Sequence, residues 1–175
     1  MNPHPEGGFF KETYRDSGKV SQAALPDDFK GDRNFSTAIV FLLPLGNHSN
    51  LHRMAASEVW HFYFGRPVIV TEITLDGKLT ETTLGADIAE GQKCQYTVPP
   101  AVWFGARSKE PDASQQSILG QMQEACDYSF VGCTVAPGFD FADFELGERG
   151  ALLSSFPQHN DVIQRLTREP EQAAA

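Results

Sequence analysis

The sequence is short of several things, and each shortage narrows what the chain can be. Of 175 residues only three are cysteines, Cys94, Cys126 and Cys133, odd in number and widely spaced. They make no CxxC pair and no disulfide framework, so a reducing cytoplasm is the simplest location. Positive charge is scarce as well: 14 Lys and Arg against 23 Asp and Glu leave a net charge of −9. With no basic stripe, a nucleic-acid backbone or an anionic membrane is a poor candidate for the main partner. No apolar run reaches membrane-spanning length, and the N-terminus lacks the charged-then-apolar pattern of a secretion signal. Repeats and linkers are also missing. The length suits one domain with a substantial core.

What the sequence does have is one stretch around which the rest is organised, Ser49 to Gly65. It begins polar, passes through His52 and Glu58, and then runs Val59-Trp60-His61-Phe62-Tyr63-Phe64 to Gly65-Arg66-Pro67. A short, aromatic-rich run closed by Gly and Pro fits a strand better than a helix. Side chains alternate along a strand, so Glu58, Trp60 and Phe62 share one face and Val59, His61 and Tyr63 the other. A carboxylate opening a strand lined with aromatics is costly to bury without a partner. The pattern therefore points to a site.

The flanking chain reads as short strands. Met1 to Gly8 is an extended lead-in, and Phe9 to Arg15 a strand with Phe10 and Tyr14 on one side and Lys11, Thr13 and Arg15 on the other. Asp16 to Asn34 is a polar loop with room for a helical turn at Ser21 to Leu25. Phe35 to Leu45 suggests a strand buried on both faces. Pro67 to Leu75 and Lys78 to Leu84 flank Asp76-Gly77, a strong hairpin turn. Tyr96 to Val98 and Val102 to Ala106 flank a Pro-Pro break, and Gln116 to Gln123 and Tyr128 to Val135 read as two more strands. Short strands with Gly, Pro and Asp turns indicate an all-β barrel or sandwich. Phe139, Phe141 and Leu146 would cover apolar surface while Asp140, Asp143 and Glu145 face water or cap. Val162, Ile163 and Leu166 give Asp161 to Thr167 a helical period, with Asn160 or Asp161 as N-cap. The predicted organisation is one domain over residues 1–168, made of an N-terminal strand at 9–15, a barrel at 35–136 and a covering segment at 137–168. A disordered tail follows at 169–175.

Glu58, six residues and Gly65 match the second half of the first cupin motif, and Gly91 with Val98-Pro99-Pro100-Ala101-Val102-Trp103 resembles the second. More specifically, His4–Arg15 (HPEGGFFKETYR), Ser36–Leu43, His52–Gly65, Val98–Ala106 and Pro137–Leu146 occur in the order of a small single-domain cupin family of unknown function. The resemblance implies an all-β, antiparallel jelly-roll barrel with little helix, a homodimer, and a pocket inside the barrel. It does not imply a reaction, because cupins serve many chemistries. It also departs from the usual metal pattern: Asn50 stands where the first histidine is expected and Phe104 where the second-motif histidine is expected. His52 and Glu58 are then the partial site for a divalent metal, which leaves any metal cofactor open and short of one imidazole. His48 is the remaining candidate.

Two kinds of function follow. In the first, the barrel is a metal-independent epimerase or isomerase acting on a small polar, carbohydrate-like metabolite. Proton abstraction beside a carbonyl needs a base and a group that meets the oxyanion. His52 is the predicted base, Glu58 its orienting group or the acid, and Arg53 or Arg15 the holder of an anionic group. Trp60, Phe62, Trp103 and Phe104 form the predicted pocket wall. In the second, the barrel binds a small molecule without turning it over; a metal-dependent enzyme is a third reading. The bland alternatives are a hydrogen-bonded core histidine for His52 and a salt bridge to Arg53 for Glu58. His61 and Tyr63 are expected to serve packing or the dimer interface. His4-Pro5-Glu6-Gly7-Gly8 suits either a close backbone approach to a ligand or neighbouring subunit, or a tight lead-in turn. Cys133 is expected to be a small core residue.

Overall fold

The computed structural model describes residues 1–111 and 118–169. Thirteen strands dominate the described chain: β1 (Asn2–Pro3), β2 (Phe9–Arg15), β3 (Lys19–Val20), β4 (Arg33–Asn34), β5 (Thr37–Pro44), β6 (His48–Met54), β7 (Glu58–Gly65), β8 (Val68–Ile73), β9 (Leu79–Leu84), β10 (Gln95–Val98), β11 (Trp103–Ser108), β12 (Tyr128–Val135) and β13 (Phe144–Leu146). Helices are α1 (Ile118–Glu124), α2 (Arg149–Ser155) and α3 (Asn160–Arg165). Two antiparallel sheets face each other, one ordered β1-β2-β5-β12-β7-β10 and the other β13-β6-β11-β8-β9. This is the antiparallel jelly roll that the resemblance implies, and it agrees with the all-β barrel or sandwich read from the short, Gly- and Pro-punctuated strands. Phe41, Leu43, Trp60, Val68, Val70, Phe104 and Val131 meet between the sheets as a single core. At roughly 1.5–3 kcal/mol for each large apolar side chain buried, this layer is the main source of stability.

The lead-in does more than lead in. His4 and Glu6 are buried, and the turn at Gly7 and Gly8 presses the chain against its own strands. A Cβ at Gly7 would lie 2.3 Å from the His48 carbonyl oxygen, and φ there is +114°. Only glycine permits that approach.

Two bulges re-aim the alternation. In β2 the register to β5 shifts between Glu12 and Tyr14, so Phe10, Glu12 and Arg15 line the barrel cavity and Tyr14 is exposed. The loose alternation predicted for this strand puts Tyr14 with Phe10 and is corrected by the extra residue. In β7 the register to β12 shifts between Phe62 and Phe64, beyond Glu58 and Trp60, which keep their shared inward face. Strand β5 is buried on its barrel face at Thr37, Phe41 and Leu43, and only half-buried at Ala38, Val40 and Leu42. One sheet face, not two, is covered there. The Pro99-Pro100 break is a sheet switch: β10 pairs with β7, and β11 pairs with β6 and β8.

Helices are the main departure. Ile118–Glu124 is helical where the sequence reads as a strand; Leu, Gln, Met and Glu are good helix formers, and the segment lacks a β-branched run. Residues 116–117 of that predicted strand lie outside the described residues. Helix α2 carries no strong periodicity, but Glu148 caps it by accepting from the Gly150 and Ala151 amides. The N-cap of α3 is His159, not Asn160 or Asp161. Both helices cover the outer side of the second sheet, where Leu51, Ile73, Trp103, Leu152, Phe156, Ile163 and Leu166 form a second buried cluster. In the 137–146 segment, Asp140 caps the turn at Phe141–Asp143 and Asp143 pairs with Arg33. Phe141 is half exposed and Leu146 also exposed, so Phe139 and Phe144 do the covering. The expected tail from 170 onward lies outside the described residues, while Glu169 pairs with Arg149. Among the described residues no helix is long and apolar enough to cross a membrane.

Candidate active site

A cavity of about 210 Å³ opens at one end of the barrel. Its apolar walls include Phe10, Ile39, Phe41, Met54, Val135 and Phe141, and its ionisable lining includes His4, Glu6, His52, Glu58 and, at the mouth, Glu12, Arg15 and Asp140. Mostly apolar walls with a few convergent polar groups are the usual form of a small-molecule site.

The polar end is built by three segments. From β6 comes His52, whose Nδ1 lies 2.7 Å from the Asn50 carbonyl. A carbonyl only accepts, so Nδ1 carries the proton and Nε2 of the neutral ring is the basic atom. Nε2 sits 3.3 Å from Glu6 Oε2. The lead-in supplies Glu6 and His4, with His4 Nδ1 also 3.3 Å from Glu6 Oε2. The other carboxylate oxygen, Oε1, accepts from Ser49 Oγ at 2.9 Å. From β7 comes Glu58, whose Oε2 accepts from Trp60 Nε1 at 2.8 Å.

These surroundings push the two carboxyls apart. Burial, with the Glu6 charge second, raises Glu58 to about 8, against smaller opposing effects of Trp60 and Cys133. Glu58 is therefore a protonated acid at neutral pH. Burial would raise Glu6 too, but the positive charge His52 carries when protonated, the hydrogen bond and charge of His4 and the Ser49 hydroxyl hold it below its ordinary value. Burial lowers His52 below the usual histidine range, opposed by the Glu6 charge. One cavity thus presents a neutral carboxyl, a carboxylate and an imidazole with its basic nitrogen toward that carboxylate.

Of the residues predicted for the site, His52, Glu58 and Arg15 line the cavity. Arg15 is already engaged: it donates to both Glu12 oxygens at 3.0 and 2.7 Å, to Asn34 Oδ1 at 2.9 Å and to the Phe139 carbonyl at 3.2 Å. The other five lie elsewhere. Arg53 pairs with Glu145 at 2.7 Å and stacks on Trp103, so it meets neither the cavity nor Glu58. Trp103 belongs to the cluster beneath α2 and α3. Trp60 stands behind Glu58 as its donor. Phe104 backs His52, with ring centroids 4.0 Å apart, and Phe62 packs on the core. His61 bridges Thr134 and Gln95 at 3.0 Å each, away from the cavity, and stacks on exposed Tyr63. Cys133 is a buried core residue that also lines the cavity.

Glu6 and His4 are the residues whose role the sequence leaves undecided. Their signal is the Gly-Gly that follows them, since such a pair marks a close approach. The approach is to the chain's own β6. His4 lies under the mouth, stacked on Phe141 at 5.9 Å and edge-on to Phe10 at 4.7 Å.

The donor set does not fit the metal site that cupin motifs suggest. Asn50, in the first histidine's place, turns its amide to the Glu6 carbonyl. Phe104, in the last histidine's place, fills the space against His52 with an apolar ring. Glu58 is neutral and committed to Trp60. His48 lines a different cleft. Among the described residues no three His, Cys, Asp or Glu side chains are grouped so as to hold a metal ion.

The facing antiparallel sheets, the strand order and a cavity inside the barrel define a cupin-type β-barrel. The chain belongs to the family described as Cupin superfamily (DUF985), whose model matches residues 1–147. It is similar to protein SO0799 of Shewanella oneidensis, at 36% identity and a TM-score of 0.77, covering 95% of this chain and 90% of that one. A hypothetical protein from Leishmania major is 31% identical with a TM-score of 0.81, covering 96% of this chain and 93% of the other. The yeast (Saccharomyces cerevisiae) uncharacterized protein YML079W is 29% identical over 150 residues, 80% of this chain and 67% of that protein.

Proposed function

We propose that the cavity binds a small polar metabolite and moves a proton on it, as a metal-independent isomerase or epimerase. The observation that supports this reading is the opposed pair of carboxyls: Glu58 protonated up to about 8, Glu6 held ionised beside His52. Two titratable groups driven apart in one cavity divide acid from base. His52 Nε2 is the acceptor for a proton on the carbon beside a carbonyl. The imidazolium so formed keeps its Nδ1–H on Asn50 and gains a 3.3 Å contact to the Glu6 carboxylate, so the pair takes up one proton as a unit. Glu58, as the neutral acid, donates to the developing oxyanion. A cavity of about 210 Å³ limits the ligand to a small acid or monosaccharide-sized body.

The test is a thermal-shift screen of small carboxylates, sugar acids and monosaccharides, followed by incubation of each stabilising compound in deuterated water. Deuterium enters a carbon-bound position in the native protein, and the rate falls about 10²- to 10⁴-fold in folded His52→Ala and Glu58→Gln. Stabilisation without exchange or turnover overturns the catalytic reading and leaves a non-catalytic small-molecule-binding cupin.

We also propose that the chain works as a homodimer through the outer side of the six-stranded sheet. Phe9, Tyr63 and Phe64 are exposed there, with Val40, Leu42 and Phe130 half-buried beside them, while helices cover the other sheet. Tyr63→Ser is expected to change monomer stability by less than about 0.5 kcal/mol yet shift sedimentation toward monomer. A native protein that sediments only as monomer at micromolar concentration removes the proposal.

A further inference from the structure

On the far side of the lead-in from the barrel cavity lies a second cleft of about 390 Å³, walled by the Gly7-Gly8 turn, the β5–β6 turn and the end of α3. In a chain of net charge −9, its ionisable lining is cationic: His48, Arg149, Arg165 and Arg168, against one carboxylate, Glu169. Arg149 is bound into the fold. Its Nε donates to Thr167 Oγ1 at 2.8 Å, Nη2 to the Gln164 carbonyl at 3.0 Å and to the Thr167 carbonyl, and Nη1 to Glu169. The side chains of Arg165 and Arg168 make no hydrogen bond or ion pair among the described residues. Arg165 is exposed and Arg168 half-buried; like charges on one cleft wall repel, and a bound anion relieves that repulsion. His48 registers the field. Burial lowers it most, a hydrogen bond with Asn50 opposes that, and the Arg168 and then the Arg149 charge add to the lowering.

We propose that this cleft is an oxyanion site, taking the phosphate or carboxylate of a small anion between Arg165, Arg168 and His48. Glu169 already seats a carboxylate on the Arg149 side, showing that the cleft accepts this group and leaving the other two guanidinium groups to the ligand. Planar guanidinium groups match both phosphate and carboxylate. Gly7 and Gly8 line this cleft, as does Asn50, whose amide donates to the carbonyl of Glu6, so an anion here braces the segment that holds Glu6 in the barrel cavity. The site is independent of the chemistry proposed for that cavity.

Inorganic phosphate and acetate, each added to the full chain against chloride at matched ionic strength, are the probes. Nuclear magnetic resonance follows His48 and the amides of residues 46–50 and 164–168. Saturable shifts confined to these residues are expected, and the tighter probe identifies the preferred group. Glu169→Gln removes the resident carboxylate and tightens binding by about threefold, the scale of one exposed ion pair. The Arg165→Ser/Arg168→Ser protein, which loses no ion pair and keeps its circular dichroism spectrum, binds at least about tenfold more weakly. Shifts that chloride reproduces, or equal binding by the double variant, overturn the proposal. So does the absence of saturation in Glu169→Gln with both probes.

Discussion

Two carboxylates reach the same cavity by different routes, and the route decides the state. Glu58 sits on a central strand, its backbone locked into β10 and β12, and meets only an indole N–H and a thiol. Nothing there compensates a charge, so the carboxyl keeps its proton. Glu6 arrives on a turn, and that freedom brings it within 3.3 Å of two imidazoles and within hydrogen-bond reach of Ser49. There the charge is favoured over the proton. Burial is equal and the outcome opposite: the partners decide, not the depth.

The largest expected effect is on the alkaline side. The folded state holds the Glu58 proton up to about 8, whereas the unfolded chain releases it near its ordinary value of 4.5. Between those values the folded state binds more protons, so stability falls as pH rises, by an amount on the order of 5 kcal/mol in full. Glu58→Gln keeps the acceptor for Trp60 and removes that decline. Denaturant melts at about pH 5, 7 and 9 compare the two proteins, and a variant as alkali-sensitive as the native chain breaks the comparison. Glu6→Ala comes next. It leaves Ser49, His4 and His52 without their partner and is expected to cost about 3 kcal/mol at neutral pH.

The acid limb has the opposite sign. Glu6 and His52 both lie below their ordinary values in the folded state, so the unfolded chain binds more protons and stability is lost as pH falls through their ordinary range. Glu6→Ala should remove the Glu6 share of that loss while keeping most of the alkaline decline, since burial is the larger cause of the Glu58 shift. Smallest is Asn50→Ala, which frees the Glu6 carbonyl and is expected to cost about 1–2 kcal/mol. Hydrogen exchange at residues 4–8 should then rise while the core strands stay protected.

How much of this the sequence displays differs by element. The strands and the inward face of Glu58 and Trp60 follow from alternation and turn residues, which are local signals. The bulges at Thr13 and Tyr63 do not, because an inserted residue shows only when the partner strand is known. Helix α2 is hidden by its glycine and by the absence of a period; its stability comes from burying Leu152 against Trp103 and Leu51, a tertiary effect. In the site, His52 and Glu58 are legible as a histidine and a carboxylate flanking an aromatic strand. Arg53 and Trp103 are misplaced together, because they lie on the side of the second sheet that the undetected α2 covers. Glu6 can be suspected from Gly7-Gly8, but its meeting with His52 joins two distant parts of the chain and needs the fold.

The indole behind Glu58 makes the cavity optically readable. The sequence has two tryptophans; Trp103 lies under α2 and α3 beneath Arg53, and Trp60 points its N–H at Glu58. Replacing Trp103 with Phe leaves Trp60 as the single tryptophan, whose emission, excited apart from the tyrosines, senses whether its acceptor is a carboxyl or a carboxylate. A sigmoidal change in intensity centred near 8, absent when Glu58→Gln is added, would report the acid's protonation directly and would shift as compounds enter the barrel. Ligand discovery could then proceed by fluorescence, whatever the reaction turns out to be.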